Sequence, residues 1–125
     1  MGLRNEASTP TIAVKGVDIN TVGDTAVHVP FAKWRLKGMG LSGASETLAG
    51  SSMTIGAYSA PAAGGTALVT PATATGLTSA NAYNARTVAA TAVAFTGDTL
   101  YIRVGVAHGS AATVDVYLDI ESLEL

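Results

Sequence analysis

His108 and Ser110 are the residues whose types best suit nucleophilic chemistry, and they lie two positions apart between two runs of alternating apolar residues. A hydrolase needs a nucleophile, a base and an orienting group in mutual contact. Residues this close together in a strand-linking turn are more simply turn residues. The other histidine, His28, alternates with Val27 and Val29, which predicts a place on the polar face of a strand. The sequence therefore predicts no catalytic residues and no enzyme.

A row of carboxylates on the last apolar run raises the question of a cation site. Asp115, Asp119 and Glu121 have the same parity and so fall on one side of a strand. Positions two and four apart on a strand are about 7 and 13 Å apart, and Asp115 and Glu121 are farther apart still, so they are too distant to share an ion. The carboxylates near predicted turns, where aspartate commonly caps backbone groups, are Asp18, Asp24 and Asp98. Without a cysteine or a dense oxygen-ligand loop, the sequence predicts no metal and no cofactor.

The segment 33–37 alternates strictly, with cations on one side and Trp34 and Leu36 on the other. The acidic row is therefore expected to be solvated, or to pair with these cations on a neighbour. Both the cations and the carboxylates are expected to face away from the core, which suits contacts between proteins. The predicted interface residues are Lys33, Arg35, Lys37, Tyr101, Arg103, Asp115, Tyr117 and Asp119.

Exposed aromatic side chains offer an alternative function, because small β-domains often bind sugars through them. The candidates are Trp34, Tyr58, Tyr83, Tyr101 and Tyr117. Trp34 shares its face with Leu36, which favours the core. Tyr101 and Tyr117 are predicted to lie near each other across a C-terminal hairpin on the outer face. There, a contact between subunits is favoured over a sugar platform.

Alternating apolar residues indicate the strands that position these side chains. Residues 11–31 form two predicted strands, with a turn at Gly23 and Asp24 and an end or an edge at Pro30. A change of phase at Gly38 predicts a β-bulge. Residues 53–57 and 67–69 form a hairpin with a wide connection at 59–65. One helical turn at 79–84 is the weakest prediction.

The last quarter carries the clearest pattern, with apolar residues at every second position over 100–106 and again over 114–120. The pattern is interpreted as one long hairpin, and residues 87–95 as a further strand. About eight short strands joined by turns predict an all-β fold, a single antiparallel β-sandwich or jelly-roll-like domain. Residues 1–10 are expected to be a flexible N-terminal segment and 11–125 the domain. Within the domain, 11–32 is a possible docking arm or strand.

Composition excludes several partners. Charged residues make up 13% of the 125 residues, about half the usual fraction, so little charge covers an independent surface. The net charge of −2 argues against a nucleic-acid-binding surface, which is normally basic. No stretch approaches 18 consecutive apolar residues, and the N-terminus lacks the apolar core of a signal peptide. We therefore expect neither nucleic acid nor membrane as a partner.

From Lys33 onwards the sequence resembles small structural proteins encoded among the head genes of tailed bacteriophages. The resemblance lies in WRLKGMGLSGAS, SMTIGAYSAPAAGGTALV, GLTSANAY and TLYIRVGVAHGSAATVDVYLDI, and residues 1–32 show none. It implies a decoration or cement protein on the outside of the capsid, made in the host cytoplasm and located on the virion. The implied partners are the major capsid protein and further copies of the chain, with a trimer favoured. The alternative is a carbohydrate-binding or adhesion module of a phage fibre or tail or of a bacterial surface.

Overall fold

The computed structural model describes residues 10–89 and 95–123, which form two antiparallel sheets packed against each other and contain no helix. The predicted all-β sandwich is confirmed, with nine strands where about eight were expected. The strands are β1 Thr11–Asp18, β2 Gly23–His28, β3 Lys33–Ser42, β4 Thr54–Ala60, β5 Gly64–Thr73, β6 Asn84–Arg86, β7 Phe95–Thr96, β8 Thr99–Val106 and β9 Thr113–Ser122.

The chain crosses repeatedly between the sheets. The first sheet has the order β1-β9-β3-β6, with β7 also paired to β3, and the second has the order β2-β8-β4-β5. Among the strands in the described residues, only β4 and β5 are both consecutive in the chain and paired along their length. The sandwich thus has two borders, one formed by the edge strands β1 and β2 and the other by β5 and β6.

The core fills the space between the sheets with the alternate side chains that the sequence pattern predicts. Trp34, Leu36 and the even-numbered residues of β8 and of β9 up to Ile120 are buried, except Val106. Full burial of one such aliphatic side chain contributes about 1.5–3 kcal/mol. The Trp34 ring packs 5.3 Å from the Phe95 ring and its Nε1 donates to the Gly97 carbonyl at 2.9 Å. Trp34 is therefore a core residue, as predicted.

The predicted C-terminal hairpin is wrong. β8 pairs with β2 and β4, whereas β9 pairs with β1 and β3 in the other sheet. A strand facing its chain neighbour across the core shows the same period-two burial as a strand hydrogen-bonded to it, so the pattern does not distinguish the two. Residues 107–112 carry the chain from one sheet to the other. Tyr101 and Tyr117 consequently lie on the outer faces of opposite sheets, and their predicted proximity is also wrong.

The irregular positions are largely where the sequence places them. Leu36 pairs with Ile120 and Gly38 with Asp119, so Lys37 is the extra residue of the predicted bulge. β2 ends two residues before Pro30, although Gly23 and Asp24 open this strand rather than forming a turn. The hairpin connection is narrower than predicted, at 61–63, where Ala62 and Ala63 take the left-handed φ values of 58° and 60°.

Residues 79–84 contain a single turn and no helix. The N–H of Ala82 closes a single turn on the Ser79 carbonyl at 3.2 Å. Neighbouring carbonyls accept from the end of β3, since Ser42 Oγ donates to Ala82 and the Gly43 N–H to Ala80. The strand predicted at 87–95 is confirmed only at Phe95, because residues 87–89 are not in a strand and 90–94 lie outside the described residues.

The predicted N-terminal flexible segment, 1–10, also lies outside the described residues except for Pro10. The possible docking segment, 11–32, contains β1 and β2, both of which are paired into the sheets. In the described ranges, no helix is long and apolar enough to cross a membrane.

Candidate functional site

The predicted interface residues do not form one patch. Lys33, Arg35, Asp115, Tyr117 and Asp119 lie on the outer face of the first sheet, on β3 and β9. The outer face of the second sheet holds Tyr101 and Arg103. Lys37 is exposed at the β3 bulge. Since β8 and β9 belong to different sheets, the eight residues divide between two surfaces on opposite sides of the core.

The acidic residues of β9 find partners inside their own sheet. Glu121 lies directly across from Arg35, whose Nε donates to Glu121 Oε1 at 2.8 Å and whose Nη2 contacts the same oxygen. Asp119 Oδ1 accepts from Thr11 Oγ1 at 2.7 Å. In the described part of the chain, Lys33 and Lys37 form no ion pair. Arg35 thus pairs with a neighbouring strand, whereas Lys33 and Lys37 are exposed cations without a carboxylate partner among the described residues.

Lys15, Asp115 and Tyr117 form a second polar cluster on the same face. Lys15 Nζ lies 3.6 Å from Asp115 Oδ2, donates to the Tyr117 hydroxyl at 2.7 Å and lies 5.0 Å from the Tyr117 ring centroid. The hydrogen bond with Tyr117 raises the pKa of Lys15. Asp115 also accepts the backbone N–H of Gly16, at the bulge in β1. Tyr117 therefore contacts Lys15 through both its hydroxyl and its ring, and Asp115 lies near the same ammonium group.

Tyr83 lies beside this cluster and is 64% exposed. Gly40 lies directly across from Tyr117, and a Cβ at Gly40 would overlap the Tyr83 ring and hydroxyl. Because glycine has no side chain, the Tyr83 ring can lie on the β3 backbone. We call Tyr83, Tyr117 and Lys15 the aromatic surface. The sequence identified both tyrosines as candidates, but their proximity depends on Gly40 and on the β3–β9 register.

The second sheet presents a different aromatic pair. Tyr101 lies directly across from Tyr58 on β4, and both are partly buried. Beside them, Arg103 Nη1 donates to Asp24 Oδ1 at 3.2 Å, and Asp24 Oδ2 accepts from the Ala62 N–H at 2.7 Å. Asp24 thereby ties the β4–β5 turn to β2.

Asp18, one of the three carboxylates predicted near turns, caps the connection after β1. Its oxygens accept from the Asn20 N–H at 2.8 Å and from Thr21 Oγ1 at 2.9 Å, which confirms the predicted capping. Among the described residues, no group of three or more histidine, aspartate or glutamate side chains could hold a metal ion.

A cluster that sequence reasoning missed surrounds His108. Its Nδ1 lies 2.7 Å from Ser51 Oγ and its Nε2 lies 2.7 Å from Glu46 Oε2, which also accepts from Ser110 Oγ at 3.1 Å. The His108 side chain is 10% exposed and that of Glu46 is 43% exposed. Ser51 and Glu46 belong to the loop after β3, and no local spacing links that loop to residue 108.

Serine, histidine and carboxylate in this order resemble the contacts of nucleophilic hydrolases. Ser51 Oγ, however, also accepts from the Met53 N–H at 3.1 Å, which closes a local turn. The His108 N–H donates to the Ile19 carbonyl and the Gly109 N–H to Asn20 Oδ1. The cluster therefore joins three connections at one end of the sandwich, and this is the role its contacts support.

The Glu46 carboxyl should titrate below its usual range. Hydrogen bonds from His108 and then Ser110 lower the pKa of Glu46. A carboxyl whose folded pKa is lowered stabilises the fold above its unfolded pKa, and this contribution is lost as pH falls through the folded pKa. In His108→Ala, the pKa of Glu46 should rise. It is measured from the pH dependence of the NMR shift of the Glu46 carboxyl group. His28→Ala is the control, and an unchanged pKa of Glu46 in His108→Ala would contradict the prediction.

No protein-family model matches the chain, and a search of curated proteins finds no match either. Three surface features stand out among the described residues: the border of β1 and β2, the aromatic surface, and the exposed lysines at 33 and 37.

Proposed function

We propose that this chain is a structural virion protein that binds the outside of a phage capsid and stabilises the lattice, as decoration or cement proteins do. The supporting observation is the border formed by β1 and β2. Each is the edge strand of its sheet, and only residues 19–22 separate them in the chain. Two strand edges are thereby presented next to each other.

The opposite border is closed by the chain itself. Arg86 of β6 donates to carbonyls of β4 and β5, and the N–H of Ala89 donates to the Leu68 carbonyl at 2.8 Å. Among the described residues, no strand pairs with the outer edges of β1 and β2. Unpaired edge groups are a template for strand addition from another protein. The open border is thus the surface on which a capsid subunit or a second copy would dock.

Capsid stabilisation by such a protein is mechanical. A homo-oligomer, with a trimer favoured, bridges adjacent copies of the major capsid protein on the virion surface. Each contact is weak, but simultaneous engagement of several sites raises the overall affinity by about 10²–10⁴ without any new contact. The low charge of the chain, with 7 basic and 9 acidic residues, suits docking by backbone pairing and small side chains.

Co-sedimentation of the purified protein with expanded capsid shells tests this function. Saturable binding at a fixed ratio to the capsid subunit is the expected result. Light scattering on the protein alone counts its subunits, and three are expected. A monomer that fails to sediment with the shells would contradict the proposal.

Lysines on both edge strands should weaken capsid binding. Ala13 and Ala26 are exposed on β1 and β2, where added charge opposes strand addition. We expect Ala13→Lys combined with Ala26→Lys to raise the Kd for shells at least about tenfold, equivalent to about 1.4 kcal/mol. Ala80→Lys with Ala111→Lys adds the same charge at exposed loop positions and should bind like the unmodified protein. Equal loss in both double variants would assign the effect to charge and not to the edge.

The aromatic surface favours a second candidate, a carbohydrate-binding or adhesion module. Tyr83 is the most exposed of the large apolar side chains in the described residues, and Tyr117 lies across Gly40 from it. A glycan array with the isolated protein tests this candidate. Tyr83→Ala should abolish any binding found, whereas Tyr101→Ala, on the opposite sheet, should not. An array without a hit would remove the candidate.

A further inference from the structure

A pocket of about 380 Å³ lies where β6 and the residues that follow it approach β5. Ligand sites in proteins are typically about 300–1,000 Å³, mainly apolar, with a few converging polar groups. Val69 and three alanines supply the apolar wall here. The polar lining residues are Thr70, Asn84, Arg86 and Thr87. Arg86 is the one charged residue among those that line the pocket.

The structure holds Arg86 in a fixed position. Its Nη1 donates to the Thr73 carbonyl at 2.9 Å and to Asn84 Oδ1 at 2.8 Å. Its Nη2 donates to the carbonyls of Ile55 at 3.0 Å and Ala72 at 2.5 Å. These four acceptors are all neutral. No carboxylate in the described ranges forms an ion pair with Arg86.

The contacts of Arg86 thus satisfy hydrogen bonds but leave its positive charge unbalanced. Partial burial lowers the pKa of the guanidinium, which reflects the loss of water around a charge. A half-buried charge is costly unless it is paired. Thr70 and Thr87 also line the pocket, and neither hydroxyl forms a hydrogen bond with any described residue, so both are available as donors.

We propose that this pocket binds a carboxylate group. One fixed cation and nearby hydroxyl donors match a single negative charge with two acceptor oxygens. A dianion would leave one charge uncompensated against the wall of Val69 and alanines. The carboxylate is supplied by a small free acid or by the C-terminus of a peptide. This site is independent of the open border of β1 and β2 and does not rest on the capsid proposal.

Titration of the ¹⁵N-labelled protein with sodium acetate tests the site, with sodium chloride at equal ionic strength as the reference. Saturable shifts at Thr70, Asn84, Arg86 and Thr87 are expected, with a Kd on the order of 1 mM. N-acetylalanine, which mimics a peptide C-terminus, then distinguishes the two sources. N-acetylalaninamide, which lacks the carboxylate, is its control. Tighter binding of N-acetylalanine than of acetate assigns the pocket to a peptide terminus, whereas equal binding assigns it to small acids. Shifts identical in acetate and chloride would overturn the proposal.

Asn84→Asp tests the site with Arg86 in place, and the isosteric side chain is expected to preserve the fold. Asn84 Oδ1 already accepts from Arg86, so aspartate places a carboxylate next to the guanidinium and neutralises it. Acetate binding should weaken at least about tenfold. Asn20→Asp is the matched control, because it adds the same charge to a side chain that also accepts a hydrogen bond, from the Gly109 N–H. Unchanged acetate binding in Asn84→Asp would overturn the proposal.

Discussion

Replacing Arg86 with methionine should lower the free energy of unfolding by about 3 kcal/mol, because hydrogen bonds to a charged group contribute about 1.5–3 kcal/mol each and are not additive. Methionine retains an apolar stem of similar length but makes none of the four hydrogen bonds. The carbonyl of the fully buried Ile55 would lose the hydrogen bond that Arg86 donates to it from the other sheet. Arg86 also joins β6 of one sheet to β4 and β5 of the other, so its loss would open this border of the sandwich.

Urea denaturation followed by Trp34 fluorescence measures the effect, since Trp34 is buried in the core. Arg35→Met is the matched control. It removes the same side chain from a partly exposed pair with Glu121, and such pairs contribute about 0–1 kcal/mol. Arg86→Lys should recover only part of the stability, because an ammonium cannot span the same set of acceptors. Equal midpoints for Arg86→Met and Arg35→Met would contradict the structural role of Arg86.

The strands were predictable because their signal is local. Trp34 and Leu36 alternate with charged residues, and the phase changes at Gly38, so burial and the bulge follow from the sequence alone. Sheet membership was not predictable in this way. β8 and β9 bury every second residue whether they pair with each other or face each other across the core. The incorrect C-terminal hairpin, and the incorrect proximity of Tyr101 and Tyr117, both follow from this ambiguity.

The contacts of the candidate site depend on residues distant in sequence. His108 meets Ser51 and Glu46 only because two loops reach the same end of the sandwich. Tyr83 approaches Tyr117 only because Gly40 lies between them in the sheet. Residue type identified the tyrosines and the acidic row as surface groups. The contacts of these residues could be predicted only from the strand register. Alternating apolar residues do not determine the register when several strands have the same alternation.

Gly56 is a second glycine at which close backbone packing leaves no room for a side chain. Gly56→Ala should lower the free energy of unfolding by about 3 kcal/mol, the upper end of the usual cost of overpacking a core. Gly56 is buried in β4, where an added Cβ would overlap the Val69 carbonyl oxygen and lie 2.7 Å from the Pro71 nitrogen. Both are backbone atoms of β5. No side-chain rotation can relieve the overlap, so β5 has to move away from β4, and the register of the two strands is already irregular at this position, between Ile55 and Ala57.

Gly76→Ala is the matched control for this substitution, since the nearest atom to an added Cβ there is Asn84 Nδ2 at an ordinary contact distance of 3.5 Å. It should change stability by no more than about 0.5 kcal/mol, as surface substitutions usually do. The two variants add the same methyl group, so their difference in urea midpoint reports the space available at each site. If Gly56→Ala unfolded at the same urea concentration as Gly76→Ala, the β4–β5 backbones would be farther apart than the structure places them, and Arg86 could not bridge them as described.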